Sequence, residues 1–142
     1  MRPGVTGRRY KPSSEAQQRY EADVALAARR ADLLTAASEA ETKFRQAQAR
    51  QAPDAELRRL ALDLDSALTA AMHAAFAAQR AEIGPRGYDD RIYRRKARAK
   101  SRVHALTAEA ERLLTLRETH RLNDIPAVTF EPSPLMAPIT KA

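Results

Sequence analysis

Residues 54–83, "DAELRRLALDLDSALTAAMHAAFAAQRAEI", repeat their apolar groups in a 3–4 rhythm through Leu57, Ala61, Leu64, Leu68, Ala71, Ala75 and Ala78. That is the spacing of a coiled-coil seam and predicts one uninterrupted helix. Pro53 stands before the stretch, and Gly84 and Pro85 follow it where a helix cannot easily continue. A helix of that length is about 45 Å long. The chain is therefore expected to be built from rods.

Upstream, a first helix is predicted from Ser13 or Ser14 to about Gln51, with Ser14 as N-cap and Gln17 at the capping-box position. Its apolar residues fall into two stripes. Tyr20, Val24, Ala27, Ala31 and Leu34 form one; Leu26, Leu33, Ala37, Ala40 and Phe44 form another about 120° away. Two stripes need two sets of neighbours, supplied either by both other helices or by an oligomer interface. Downstream, Asp89 and Asp90 suit the N-terminus of a third helix that runs to about Leu122, with Asn123 as its stop. Its expected seam is Ile92, Ala99, Val103, Leu106, Ala110 and Leu113.

The expected fold is thus all-α: three long helices in an elongated, antiparallel, coiled-coil-like hairpin or bundle. Residues 1–12 form a basic N-terminal tail, 13–122 the helical domain, and 123–142 an extended proline-rich arm. Composition agrees, with thirty alanines, four glycines and only 5% aromatics in 142 residues. An alanine core buries little area per residue, which makes partners attractive to such a bundle.

The arm, "DIPAVTFEPSPLMAPITKA", contains four of the eight prolines, and no helix crosses it. Ile125, Val128, Phe130, Leu135, Met136 and Ile139 nevertheless make it more apolar than a solvated linker. It reads as a partner-docking arm, with plain disorder as the alternative.

Net charge is +7, and its placement says more than its size. Residues 1–12 carry four basic groups and no acid, and residues 86–102 carry eight basic groups and two acids. On one continuous helix, Arg91, Arg94, Arg95, Arg98 and Arg102 fall within about 100° of arc and make a ridge about 16 Å long. Lys96 lies across the apolar seam from it, and Arg8, Arg9 and Lys11 in the tail offer a second contact, with Tyr10 available for stacking. Guanidinium forks grip phosphate in two places and stay charged, so the ridge is a candidate nucleic-acid or anion-binding surface. Its alternative is neutralisation within the chain by Glu56, Asp63 and Asp65 or by Asp32, Glu39 and Glu41.

Within the ridge, "RRKARAKSRVHAL" (residues 94–106) resembles the basic region of bZIP transcription factors at Ala97, Lys100, Ser101 and Arg102. The family's base-reading asparagine is replaced by Arg94 and its second alanine by Arg98. Leu106 and Leu113 are out of register with the zipper. The resemblance covers those residues alone and implies no more than a basic helix.

Catalysis is not expected. His73, His104 and His120 lack metal-ligand spacing, and Glu39 with Glu41 and Asp63 with Asp65 are two apart, so they diverge on a helix. No glycine-rich phosphate loop is present, and without cysteine there is no thiolate chemistry. No cofactor, metal or small-molecule substrate is expected. "MRPGVTGRRYKP" lacks the apolar region of a secretory signal, and the least polar run, residues 67–78, is too short to span a bilayer. The expected location is the cytoplasm or the inside of a virus particle, with no membrane partner.

The function expected from these residues is a non-catalytic helical structural or assembly protein in a larger nucleoprotein complex, such as a phage virion or head–tail component. A homo-oligomer or larger assembly and nucleic acid are its expected partners. A free DNA-binding regulatory or architectural protein is the alternative, and an adaptor for an acidic protein surface is the third.

Overall fold

The computed structural model describes residues 9–125, which form six α-helices and no strand. They are α1 (Ser14–Ala27), α2 (Arg30–Ala49), α3 (Asp54–Ile83), α4 (Arg86–Asp89), α5 (Arg91–Ala97) and α6 (Ser101–Asp124). The helix predicted from Asp54 to Ile83 is α3. The other two long helices are divided: the first is α1 and α2, and the third is α5 and α6, preceded by the short α4 that the sequence reading did not anticipate.

Helix α3 is the centre, with α1, α2 and α6 all packed on it. Ala71, Ala74, Ala75 and Ala77 of α3 have no exposed surface, so alanine here provides close backbone approach on several sides at once. The main core joins Ala37 and Phe44 of α2, Leu60, Leu64, Leu68 and Met72 of α3, and Ala110 and Leu113 of α6. A smaller cluster, Ile83, Ala97 and Val103 with Tyr93 against it, closes the other end.

The break at Ala28 and Arg29 answers the two-stripe problem of the first helix. Ala16, buried in α1, lies on the extension of the first stripe, while buried Ala37 and Phe44 of α2 belong to the second. A straight helix cannot aim stripes about 120° apart at one neighbour. At the turn the Arg29 amide donates to Leu26 O at 3.0 Å, and α1 and α2 both pack on α3, although Val24 (42%) and Ala31 of the first stripe stay exposed. The second stripe is thus covered within the subunit.

A second break, from Arg98 to Lys100, works in the same way. Ala97 of α5 and Val103 of α6 sit about 120° apart on a continuous wheel, yet both are buried against Ile83. The extended Lys100 (φ −65°, ψ 137°) lets each turn inward. The expected seam is corrected accordingly: Val103, Leu106, Ala110 and Leu113 are buried, whereas Ile92 is 69% exposed and Ala99 is exposed.

Ends are closed by local chemistry. The Ser13 hydroxyl caps α1 by accepting from the Ala16 amide at 3.0 Å, so the cap is Ser13 and not Ser14. Gln51, at φ 54°, takes the left-handed turn after α2, and the Ala52 amide donates back to Ala47 O. Gly84, at φ 97° and ψ 176°, ends α3 in a region open almost only to glycine.

Side-chain bridges lace the rods. Arg30 grips Glu109 through two nitrogens, Arg121 grips Asp65, and Arg80 grips Asp23. Buried His120 of α6 lies 2.7 Å from Ala61 O on α3 and 2.8 Å from Asp124, with its ring edge-on to Phe44. Among the described residues no helix is long and apolar enough to cross a membrane.

Candidate polyanion-binding face

Asp90 starts α5. Its carboxylate accepts from the Tyr93 amide at 3.0 Å, and that hydrogen bond, ahead of the ion pair with Arg86, holds the carboxyl below its usual range. Once α5 begins here, Tyr93 and Ala97 turn inward onto Ile83, leaving Arg91, Arg95 and Arg98 exposed and Arg94 half-buried at the edge.

Arg91, Arg94, Arg95 and Arg98 line one recess of about 150 Å³ with no other residue. Arg94 spends one N–H on Gly87 O at 3.2 Å. Among the described residues no ion pair engages any of these four. Like charges held together without carboxylates repel, and an incoming polyanion relieves that repulsion.

Arg102 leaves the ridge. It lies beyond the break, and its Nε is 3.1 Å from Glu82 Oε1. The five-residue ridge on one continuous helix is therefore corrected to four residues on and just after α5. The carboxylates expected to neutralise it do not. Asp65 pairs with Arg121, Glu56 with Arg50 and Asp63 with Arg59. Lys96 is exposed on α5 without an ion pair among the described residues.

Residues 10–13 are strapped onto this same corner, a placement that no local pattern signals. Asp89 accepts the Ser13 amide at 2.9 Å, the Ser13 hydroxyl at 2.7 Å and the Tyr10 hydroxyl. The backbone donor at Ser13 leads in lowering the Asp89 carboxyl, followed by the two hydroxyls. Desolvation and the bond to Asp89 push the Tyr10 phenol up to about 12. Arg86 stacks over both Tyr10, at 5.3 Å, and Tyr93, at 4.7 Å. Tyr10, Asp89, Asp90, Arg91, Ile92 and Arg95 then surround a groove of about 620 Å³. Arg9 and Lys11, the neighbours of Tyr10, are exposed beside it.

Two basic segments some 80 positions apart in sequence thus share one corner. Arg8 lies outside the described residues, as do Val128, Phe130, Leu135, Met136 and Ile139 of the arm. Ile125, the arm's first apolar residue, is buried just after α6. Among the described residues no group of three or more histidines, aspartates or glutamates could hold a metal ion.

Comparison with protein-family models, with curated proteins and with solved structures finds no match to this chain.

Proposed function

We propose that the protein is a non-catalytic helical assembly module that binds the phosphate backbone of a nucleic acid through the outer face of α5. One observation carries the proposal: Arg91, Arg94, Arg95 and Arg98 converge on one recess with no carboxylate among its lining. Four surface arginines without acidic partners are an unfavourable arrangement in isolation and a favourable one against phosphate. The strap that brings Arg9 and Lys11 to the same corner extends the footprint.

In this reading the antiparallel, coiled-coil-like bundle is the scaffold, and the chain before Tyr10 and after Ile125 supplies the arms that join it to neighbours in a nucleoprotein particle. The Ala-rich centre of α3 keeps the scaffold narrow. A phage virion is one setting that suits such a part.

Fluorescence anisotropy with a labelled duplex tests the proposal. Wild type binds, and Arg91→Gln, Arg95→Gln and Arg98→Gln combined weaken binding about 100-fold or more at low salt. Unaltered binding overturns the proposal. Binding of an acidic polypeptide in preference to DNA supports the adaptor reading, and defined oligomers by light scattering separate an assembly part from a free DNA binder.

A further inference from the structure

Arg94 also faces inward. On that side it lines a cavity of about 50 Å³ with Arg19, Arg80, Ile83, Gly87 and Tyr88, where α1, α3, α4 and α5 meet. About 10–15 Å³ of such space holds one water molecule, so the cavity has room for one tetrahedral oxyanion and little more.

Each guanidinium is oriented by a contact that leaves N–H groups unused. Arg80 gives Nε and Nη2 to Asp23, at 2.8 and 3.1 Å. Arg94 gives Nη1 to Gly87 O. Arg19 lies over the Tyr88 ring, 5.5 Å from its centroid. The Tyr88 hydroxyl donates to the same Asp23, so that carboxylate holds both a wall of the cavity and one of its cations. Burial raises the Asp23 carboxyl, and the donors Arg80 and Tyr88 more than offset it, so the group stays ionised.

Charge does not balance here. Asp23 pairs with Arg80 and also attracts Arg19 through space, so one carboxylate faces three guanidinium groups; among the described residues no ion pair engages Arg19 or Arg94. Backbone approach is close as well: a Cβ on Gly87 would stand 2.6 Å from Ile83 Cγ2, so the helix turn and its carbonyl press directly on α3. Cations already fixed by neighbours lose little freedom when an anion arrives.

We propose that this cavity is a binding site for a single phosphoryl group. Arg19 and Arg94 supply the excess positive charge over the single Asp23 carboxylate, and Arg80 is a donor held in position by Asp23. The phosphoryl group comes from free inorganic phosphate or from a nucleotide chain. The site shares only Arg94 with the outer recess and does not depend on the nucleic-acid reading.

Calorimetric titration of the full chain with inorganic phosphate, at fixed ionic strength made up with chloride, tests it. Wild type should bind phosphate saturably, Arg19→Gln should bind about tenfold or more weakly, and Arg58→Gln, exposed near the far end of α3, should match wild type. Circular dichroism checks that the variants fold, and line broadening of the phosphate ³¹P resonance by wild type gives a reading independent of any variant. No saturable binding to wild type, or equal affinity in Arg19→Gln, overturns the proposal. A duplex oligonucleotide that displaces the phosphate identifies nucleic acid as the source; simultaneous binding identifies free phosphate. Failure of the outer face alone would appear as lost oligonucleotide binding with phosphate binding intact.

Discussion

Arg102 Nε lies 3.1 Å from Glu82 Oε1, and this ion pair joins the first turn of α6 to the last turn of α3. It commits to a neighbour the one arginine that a helical wheel would have added to the outer face of α5. Both side chains are well exposed, 72% and 37%, and such pairs are worth about 0–1 kcal/mol. Arg102→Gln is therefore expected to lower stability by less than about 1 kcal/mol. It should leave duplex affinity close to that of wild type in the same anisotropy assay, and a loss as large as that of Arg95→Gln would restore Arg102 to the face.

Asp89 holds the N-terminal strap, so Asp89→Ala should free Tyr10 and Ser13 while the bundle stays folded. The Asp89 carboxyl sits below its ordinary value in the folded chain. The strap's contribution is consequently complete above the unfolded value, about 3.9, and is lost as pH falls through the lower folded value. Amide exchange at Ser13, expressed as protection relative to the intrinsic rate at each pH, reads this directly: low protection in the variant, high in wild type at neutral pH, and falling in wild type on acidification. Equal protection in both proteins at pH 7 would contradict the strap.

Asp23 joins α1 to α3 through Arg80 and to α4 through Tyr88. Its removal leaves a partly buried guanidinium and a phenol without their acceptor. Asp23→Ala should cost about 1–3 kcal/mol in chemical denaturation. Its folded carboxyl is lowered, so the same sign applies: the contribution exists above the unfolded value and fades as pH drops through the folded one. A variant as stable as wild type at pH 7 would show that the bridge is not structural.

Two chain reversals make opposite predictions. Gly84 has φ 97° with open space where a Cβ would go, so Gly84→Ala suffers from backbone strain alone, about 1–3 kcal/mol. Gln51 already bears a left-handed φ of 54°, and Gln51→Gly should raise stability by up to about 1 kcal/mol. Thermal melts that move the same way for both would refute the assignment.

Much of the fold was legible where the sequence carries punctuation. Pro53, Gly84 and Pro85 bracket α3, and its seam residues Ala61, Leu64, Leu68, Ala71 and Ala75 are buried. The breaks at Ala28–Arg29 and Arg98–Lys100 contain neither glycine nor proline. Their only trace is angular, two apolar sets about 120° apart that must reach one neighbour. In the first helix that trace was visible; in the third it was hidden because Ile92 looked like a core residue and Tyr93 with Ala97 did not. The outer arginines were legible from spacing within a few turns. The Glu82–Arg102 pair, the Asp89 strap and the Arg19 cavity depend on how distant segments cross, which no local period encodes.

On the function proposed above, four arginines of α5 and its C-cap, not five along a continuous ridge, neutralise phosphates. The most direct test is the slope of log K against log salt for duplex binding. Replacing Arg91, Arg94, Arg95 and Arg98 with glutamine should flatten that slope by about 3 to 4, at about 0.9 per phosphate contact, while Arg102→Gln should change it by well under about 1. A slope that survives the fourfold replacement, or falls by a full contact on loss of Arg102, contradicts the claim.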